Sequence, residues 1–292
     1  MTLLQAILLG IVQGLTEFIP ISSTAHLVLA MRALNLALTP EQATASIAVI
    51  QLGTLIAVLI YFARDIWNIT RAFVHDHFVL LKEGRRDHFN RKNEHARLSP
   101  DAWLGWLIII GTVPVVIAGL AFKKQIEGAF TKNLMVIATM MIVVAILLAI
   151  AEVVGKRQRR MQELSVKDAL AVGVAQCLAL IPGSSRSGST IMAGLLVGET
   201  RETAARFSFL LSIPAIAASG LLELKEAIDK LPPGSFVNLA VGTIVSGIVG
   251  YLSIWFLLRF LRTHTTGVFI GYRLIVGGAI LVLLFMGKIS AL

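Results

Sequence analysis

Six uninterrupted apolar runs, at 41–63, 102–122, 131–152, 202–224, 235–258 and 266–287, dominate the pattern along the chain. Each is near or above the ~20 residues that carry an α-helix across the hydrocarbon core, so each predicts a transmembrane helix. Two further apolar regions, 2–36 and 166–198, are broken in the middle by proline and serine. The breaks are Pro20-Ile21-Ser22-Ser23-Thr24 and Pro182-Gly183-Ser184-Ser185-Arg186-Ser187-Gly188-Ser189-Thr190. Each half is too short to cross. Non-helical backbone at membrane depth is tolerated only where it is buried in protein or lines a wet cavity. The two regions are therefore expected to be re-entrant helix–loop–helix hairpins.

Composition agrees. Of 292 residues 56% are apolar and 15% charged, against about 45–50% and about 25% in soluble proteins. That excludes a soluble globular enzyme and leaves no room for an extramembrane domain. The first apolar segment has neither a basic region before it nor a small-residue cleavage site, so no signal peptide is read. Cys177, the single cysteine, sits among apolar residues and reads as inert packing. The hydrophilic stretch at about 82–101 reads as a solvated loop. His75, His77, His88 and His95 are too scattered for a metal-ligand pattern.

The 26 Lys and Arg against 17 Asp and Glu give a net charge of +9, which in a soluble protein would raise the question of nucleic acid. Here no nucleic-acid partner is expected, because the charge reports topology: basic residues in short loops stay cytoplasmic. The loops 64–101, 153–167, 199–203 and 259–264 share one side and hold 16 basic residues, the other side holds 6, and Arg32, Arg186, Arg206 and Arg273 fall within apolar segments. This puts both termini outside.

The N-terminal pattern recurs. Ala6, Gly10, Gln13 and Leu15 reappear at offset 163 as Ala169, Gly173, Gln176 and Leu178, and Ile19, Pro20, Ser22 and Ser23 reappear at offset 162 as Ile181, Pro182, Ser184 and Ser185, with a one-residue gap beside Glu17. Each copy is a broken hairpin followed by three spans. Because three is odd, the copies enter from opposite sides. The fold class expected is an all-α polytopic membrane protein made of two inverted-topology repeats, each a re-entrant hairpin plus three transmembrane helices. The repeats cover about 1–152 and 166–292, joined by a cytoplasmic linker at about 153–165.

Ionisable groups inside a membrane cost roughly 2.5–3.5 kcal/mol each on insertion scales and mark function by default. Glu17, His26 and Arg186 all sit in the broken hairpins. Gln13 and Glu17, four apart, share a helix face, and Ser23 and His26, three apart, are expected to set a hydroxyl beside an imidazole. Gly183, Ser184, Ser185, Ser187, Gly188 and Thr190 let backbone N–H groups point inward, ahead of a helix N-terminus. A guanidinium, free N–H groups, a hydroxyl nucleophile, a histidine and a carboxylate together describe a site for a phosphorylated anion and phosphoryl transfer. Arg186 paired with Glu17 as a structural salt bridge is the blander reading. Ser22 is the weaker nucleophile candidate. Arg206, Gln51 and Arg273 read as structural, although Arg273 is within reach of the cavity. The rival function is a secondary transporter or flippase for a phosphorylated lipid, since inverted repeats with broken helices also build transporters. A carrier needs an anion site but no nucleophile.

Gln13-x-x-x-Glu17, Pro20-Ile21-Ser22-Ser23-Thr24-Ala25-His26 and Pro182-Gly183-Ser184-Ser185-Arg186-Ser187-Gly188-Ser189-Thr190 closely resemble the (E/Q)xxxE and PGxSRSxxT motifs of the undecaprenyl-diphosphate phosphatases, the bacitracin-resistance family. The resemblance covers essentially the whole chain, including Phe207-Ser208-Phe209-Leu210-Leu211 and the Tyr272-Arg273 pair. It implies an enzyme of the bacterial inner membrane that removes one phosphate from undecaprenyl diphosphate, regenerating the lipid carrier of peptidoglycan synthesis. It implies Glu17, Ser23, His26 and Arg186 as the catalytic set, with Gln13, Thr24 and Ser185 in support. It further implies a periplasmic active site and a divalent cation, Mg2+ or Ca2+. Glu17 with Gln13 would be the metal position, with one charge rather than two. Ser23 deprotonated by His26 is the expected nucleophile, with His26 itself or a water as competing versions. Undecaprenyl diphosphate and membrane lipid are the partners expected, and a homodimer stays open.

Overall fold

The computed structural model describes residues 1–36, 38–83, 98–122, 133–231 and 235–291. His88, His95 and the basic residues of 123–132 lie outside them. Among the described residues the chain forms eleven α-helices and no sheet. They are α1 (Leu3–Phe18), α2 (Ser23–Ala33), α3 (Pro40–Tyr61), α4 (Ala63–Glu83), α5 (Pro100–Ala121), α6 (Leu134–Val154), α7 (Val166–Gln176), α8 (Arg186–Leu196), α9 (Arg201–Lys230), α10 (Phe236–Leu261) and α11 (Gly267–Phe285). Five of these, α3, α5, α6, α10 and α11, are long and apolar enough to cross a membrane. They coincide with five of the six expected spans. The sixth, 202–224, falls within the continuous helix α9.

Residues 64–83, the first part of the stretch placed between two spans, fold within α4, because their polar and apolar residues alternate with helical rather than random spacing.

The broken regions are helical hairpins. Thr2 and Gln5 form a capping box that starts α1. Pro20 forces Ile19 into an extended conformation, which ends the helix. At 16 and 11 residues, α1 and α2 reach about 24 and 17 Å at 1.5 Å per residue, short of the ~30 Å core. Each return helix opens on a serine in the left-handed region. Ser22 (φ 81°) caps α2 by accepting from the Ala25 N–H, and Ser185 (φ 67°) caps α8 by accepting from the Gly188 N–H. The second turn also needs Gly183 (φ 90°), where a Cβ would lie 2.1 Å from the Ile137 carbonyl oxygen of α6.

The structure corrects the register of the sequence match between the two hairpins. α2 and α8 are both 11 residues long, and their first residues, Ser23 and Arg186, are 163 apart, as are the capping serines Ser22 and Ser185. The offset of 162 read from Ile-Pro-x-Ser-Ser holds only at the Ile-Pro step. Gly183 then restores the count, so Ser23 corresponds to Arg186 and not to Ser185.

Packing follows the same correspondence. α1 lies along α10 and α7 along α5, while α3 meets α9 and α6 meets α11. A Cβ on Gly10 would stand 2.4 Å from the Gly242 carbonyl oxygen, and one on Gly173 would stand 2.2 Å from that of Gly111. Small residues let the two backbones meet at both crossings.

Candidate active site

Glu17 is buried in the last turn of α1. One turn earlier Gln13 donates from Nε2 to Glu17 Oε2 at 2.9 Å, as the i, i+4 spacing predicts. The other carboxylate oxygen pairs with Arg186 Nη2 across the gap between the hairpins. Both partners are mostly buried, with side-chain exposures of 5% and 18%. The ion pair links the two hairpins, and the guanidinium is oriented by a carboxylate.

Ser23 is half-buried at the first position of α2, and its hydroxyl makes no hydrogen bond among the described residues. Arg186 holds the same position of α8. The first amides of each helix have no intrahelical partner, so two positive helix ends flank the Glu17–Arg186 pair.

His26 departs from expectation. Its Nδ1 lies 2.7 Å from the Ser22 carbonyl oxygen and its Nε2 lies 2.7 Å from the Tyr272 hydroxyl. A carbonyl only accepts, so Nδ1 carries the proton, and in the neutral ring Nε2 accepts from Tyr272. The two rings stack with centroids 5.5 Å apart. Neither nitrogen is bonded to Ser23. The expected hydroxyl–imidazole pair is not formed, because the Ser22 carbonyl at the left-handed cap captures the ring first.

Not every small residue of the second turn is available to a ligand. Ser185 Oγ takes the Gly188 N–H at 3.1 Å and lies 3.2 Å from Ser187 Oγ. Thr190 Oγ1 donates to the Arg186 carbonyl at 2.8 Å and contacts Ser208 Oγ at 2.6 Å, which ties α8 to α9. Ser184 Oγ and Gln13 Oε1 are buried without a partner. Ser22 is a buried cap, and Thr24 is exposed beside Ser23.

Two residues matter more than the sequence suggested. Arg273, fully buried in α11, meets no carboxylate among the described residues. It donates to the carbonyls of Pro20 (3.3 Å) in the first turn, Gly183 (3.0 Å) and Ser184 (3.1 Å) in the second, and Met140 (3.3 Å) and Met141 (3.1 Å) on α6. It is the strut between the two turns. Its neighbour Tyr272 holds His26. An arginine inside an apolar span was the visible signal, but its targets lie between 89 and 253 residues away in sequence. Arg206 behaves as expected of a structural residue, pairing with Asp65 at 2.8 Å.

Comparison with known proteins covers nearly the whole chain. The profile of the family described as "Bacitracin resistance protein BacA" matches residues 6–279. The undecaprenyl-diphosphatase of Syntrophobacter fumaroxidans is 52% identical over 287 residues, 98% of either chain. Those of Chlorobium luteolum and Mycolicibacterium vanbaalenii are 48% and 45% identical over 99% and 100% of either chain. With both broken hairpins, the Glu17–Arg186 pair between them and the matched relatives spanning its length, the chain belongs to the BacA bacitracin-resistance family.

Proposed function

We propose that this chain hydrolyses undecaprenyl diphosphate to undecaprenyl phosphate and inorganic phosphate, recycling the lipid carrier. The observation that carries the reading is the Glu17–Arg186 pair, set between two helix N-termini with Ser23 and His26 on the facing helix. A flippase would need the anion site alone.

The isoprenyl tail stays in lipid and the diphosphate enters between the turns. Arg186 and the free amides of α2 and α8 neutralise the terminal phosphate. Nucleophilic attack on the terminal phosphorus breaks the P–O–P bridge, and undecaprenyl phosphate leaves. Water then hydrolyses the phosphoenzyme, releasing inorganic phosphate. The Nδ1–H bond to the Ser22 carbonyl leaves the His26 Nε2 lone pair facing Tyr272. That favours Nε2 as the reacting nitrogen, attacking directly or, after leaving Tyr272, taking the proton of Ser23. A divalent cation would be held by Gln13 Oε1, which is buried without a partner, and by Glu17 beside it. It would supply charge neutralisation.

The matched hairpins, left-handed serine caps and paired glycine crossings support inverted repeats. The charge asymmetry supports an inner-membrane protein with both termini in the periplasm, and the family resemblance implies an active site on that side.

Purified protein in detergent, given farnesyl diphosphate and Mg2+ or Ca2+, is expected to release phosphate, with Ser23→Ala, His26→Ala and Arg186→Ala at background. No release by the wild type above that background overturns the assignment. An acid-labile, base-stable phosphoenzyme identifies His26 as nucleophile, and the reverse stability identifies Ser23.

A further inference from the structure

The active site leaves α4 unused, yet its outer face is strongly patterned. Trp67, Val74, Phe78 and Leu81, spaced seven, four and three apart, form a single stripe, and their exposures run from 55% at Phe78 to 74% at Leu81. Arg64, Arg71 and Lys82 line one flank of that stripe, all exposed, and none is in an ion pair among the described residues. Lys82 Nζ lies 4.6 Å from the centre of the Phe78 ring. The acids of the helix body point elsewhere. Asp65 pairs with Arg206 at 2.8 Å, and Asp76 accepts the Ser99 N–H at 2.8 Å.

The fold fixes where this face lies. α3 crosses the membrane up to Tyr61, and only Phe62 separates it from α4. On its other side α4 packs against the beginning of α5, which is also a span. Phe73 and Ile69 abut Gly105, and Trp106 Nε1 donates to His77 Nε2 at 3.0 Å. Held at the end of one span and the start of the next, residues 63–77 cannot leave the level of the membrane boundary.

We infer that α4 lies in the membrane surface, seating Trp67, Val74, Phe78 and Leu81 at the boundary of headgroups and acyl chains and offering Arg64, Arg71 and Lys82 to anionic lipid phosphates. An apolar stripe bearing tryptophan with a basic flank is the pattern that binds an interface through burial plus attraction to anionic lipid. The inference rests on the spans and not on which face of the membrane is cytoplasmic. A bilayer surface necessarily passes this point, and its phosphates complement the one-signed flank.

The test uses the full chain in vesicles of phosphatidylcholine, or of equal parts phosphatidylcholine and phosphatidylglycerol, with one lipid brominated near the headgroup end of its chains. The Trp67 signal is the difference between wild type and Trp67→Phe. Trp67 should be quenched by brominated lipid and protected from aqueous iodide. In the mixed vesicles, brominated phosphatidylglycerol should quench it more than brominated phosphatidylcholine. Replacing Arg64, Arg71 and Lys82 by Gln should abolish that preference, at about a five-fold loss of anionic-lipid enrichment per charge, while phosphate release stays at the wild-type rate. Quenching by iodide and not by lipid overturns the inference. So does insensitivity to both together with copy-to-copy cross-linking through Trp67→Cys, which would mean that a second chain covers the face.

Discussion

Arg273→Lys isolates what the strut does, because it keeps the charge and changes only the shape of the donor set. The guanidinium reaches five carbonyls, three of them in the turns at Pro20, Gly183 and Ser184. An ammonium has three donors on a compact head. It can serve the first turn or the second, but not both. A buried carbonyl left without a donor costs about 1–3 kcal/mol, so lysine should cost roughly that much and alanine, which strands all three turn carbonyls, about 3–9 kcal/mol. The turns set the first residues of α2 and α8, and misplacing reacting groups by about 1 Å costs about 100-fold in rate. That rate loss corresponds to about 2.7 kcal/mol of barrier. Arg273→Lys should therefore lower kcat about 100-fold in a farnesyl diphosphate assay. Thermal unfolding in detergent should shift modestly for lysine and strongly for alanine. A lysine variant with wild-type kcat refutes the reasoning, since charge alone would then be sufficient.

Tyr272→Phe removes the donor to His26 Nε2; the pH–rate profile should shift with a rate change of about ten-fold or less, and an unchanged profile would separate Tyr272 from the chemistry. Gly173→Ala forces a methyl to 2.2 Å from the Gly111 carbonyl oxygen and should cost several kcal/mol of stability, read as a lower unfolding temperature. Glu199, in the connection between α8 and α9, is fully buried with neither carboxylate oxygen hydrogen-bonded, and burial, helped by the nearby Asp168, pushes its pKa up to about 8 from 4.5. The folded protein keeps this proton where the unfolded chain releases it, so the contribution is intact below about pH 4.5 and lost as the pH rises to about 8, up to roughly 5 kcal/mol. Glu199→Gln should flatten that loss in thermal unfolding measured from pH 5 to about 8.5, and a variant that falls as steeply as the wild type would exonerate Glu199.

The spans were legible because an unbroken apolar run has few alternatives, and the hairpins because Pro20 and Pro182 interrupt such runs. α4 was not, since Trp67, Val74, Phe78 and Leu81 are separated by polar residues and look like loop until read at helical period. Gln13 and Glu17 were legible as a pair because one helix turn fixes their distance. Ser23 and His26 were not, because the partner of His26 is set by the left-handed cap at Ser22 and by Tyr272, 246 residues away. Arg186 was found by its cost in a membrane. The same argument flagged Arg273 but gave no direction for its guanidinium, since backbone carbonyls leave no trace in side-chain identity.

The equivalence of Ser23 and Arg186 has a consequence for ancestry. A duplicated half would begin with the same residue at the head of both return helices, and hence with two identical half-sites. In this chain one head carries a hydroxyl and the other a guanidinium, while Leu180 and Ser189 stand where the first copy has Glu17 and His26. On the proposed reading the two heads divide the work, the hydroxyl on α2 and the guanidinium on α8. A chain of two first halves would lack Arg186, and one of two second halves would lack Glu17, Ser23 and His26.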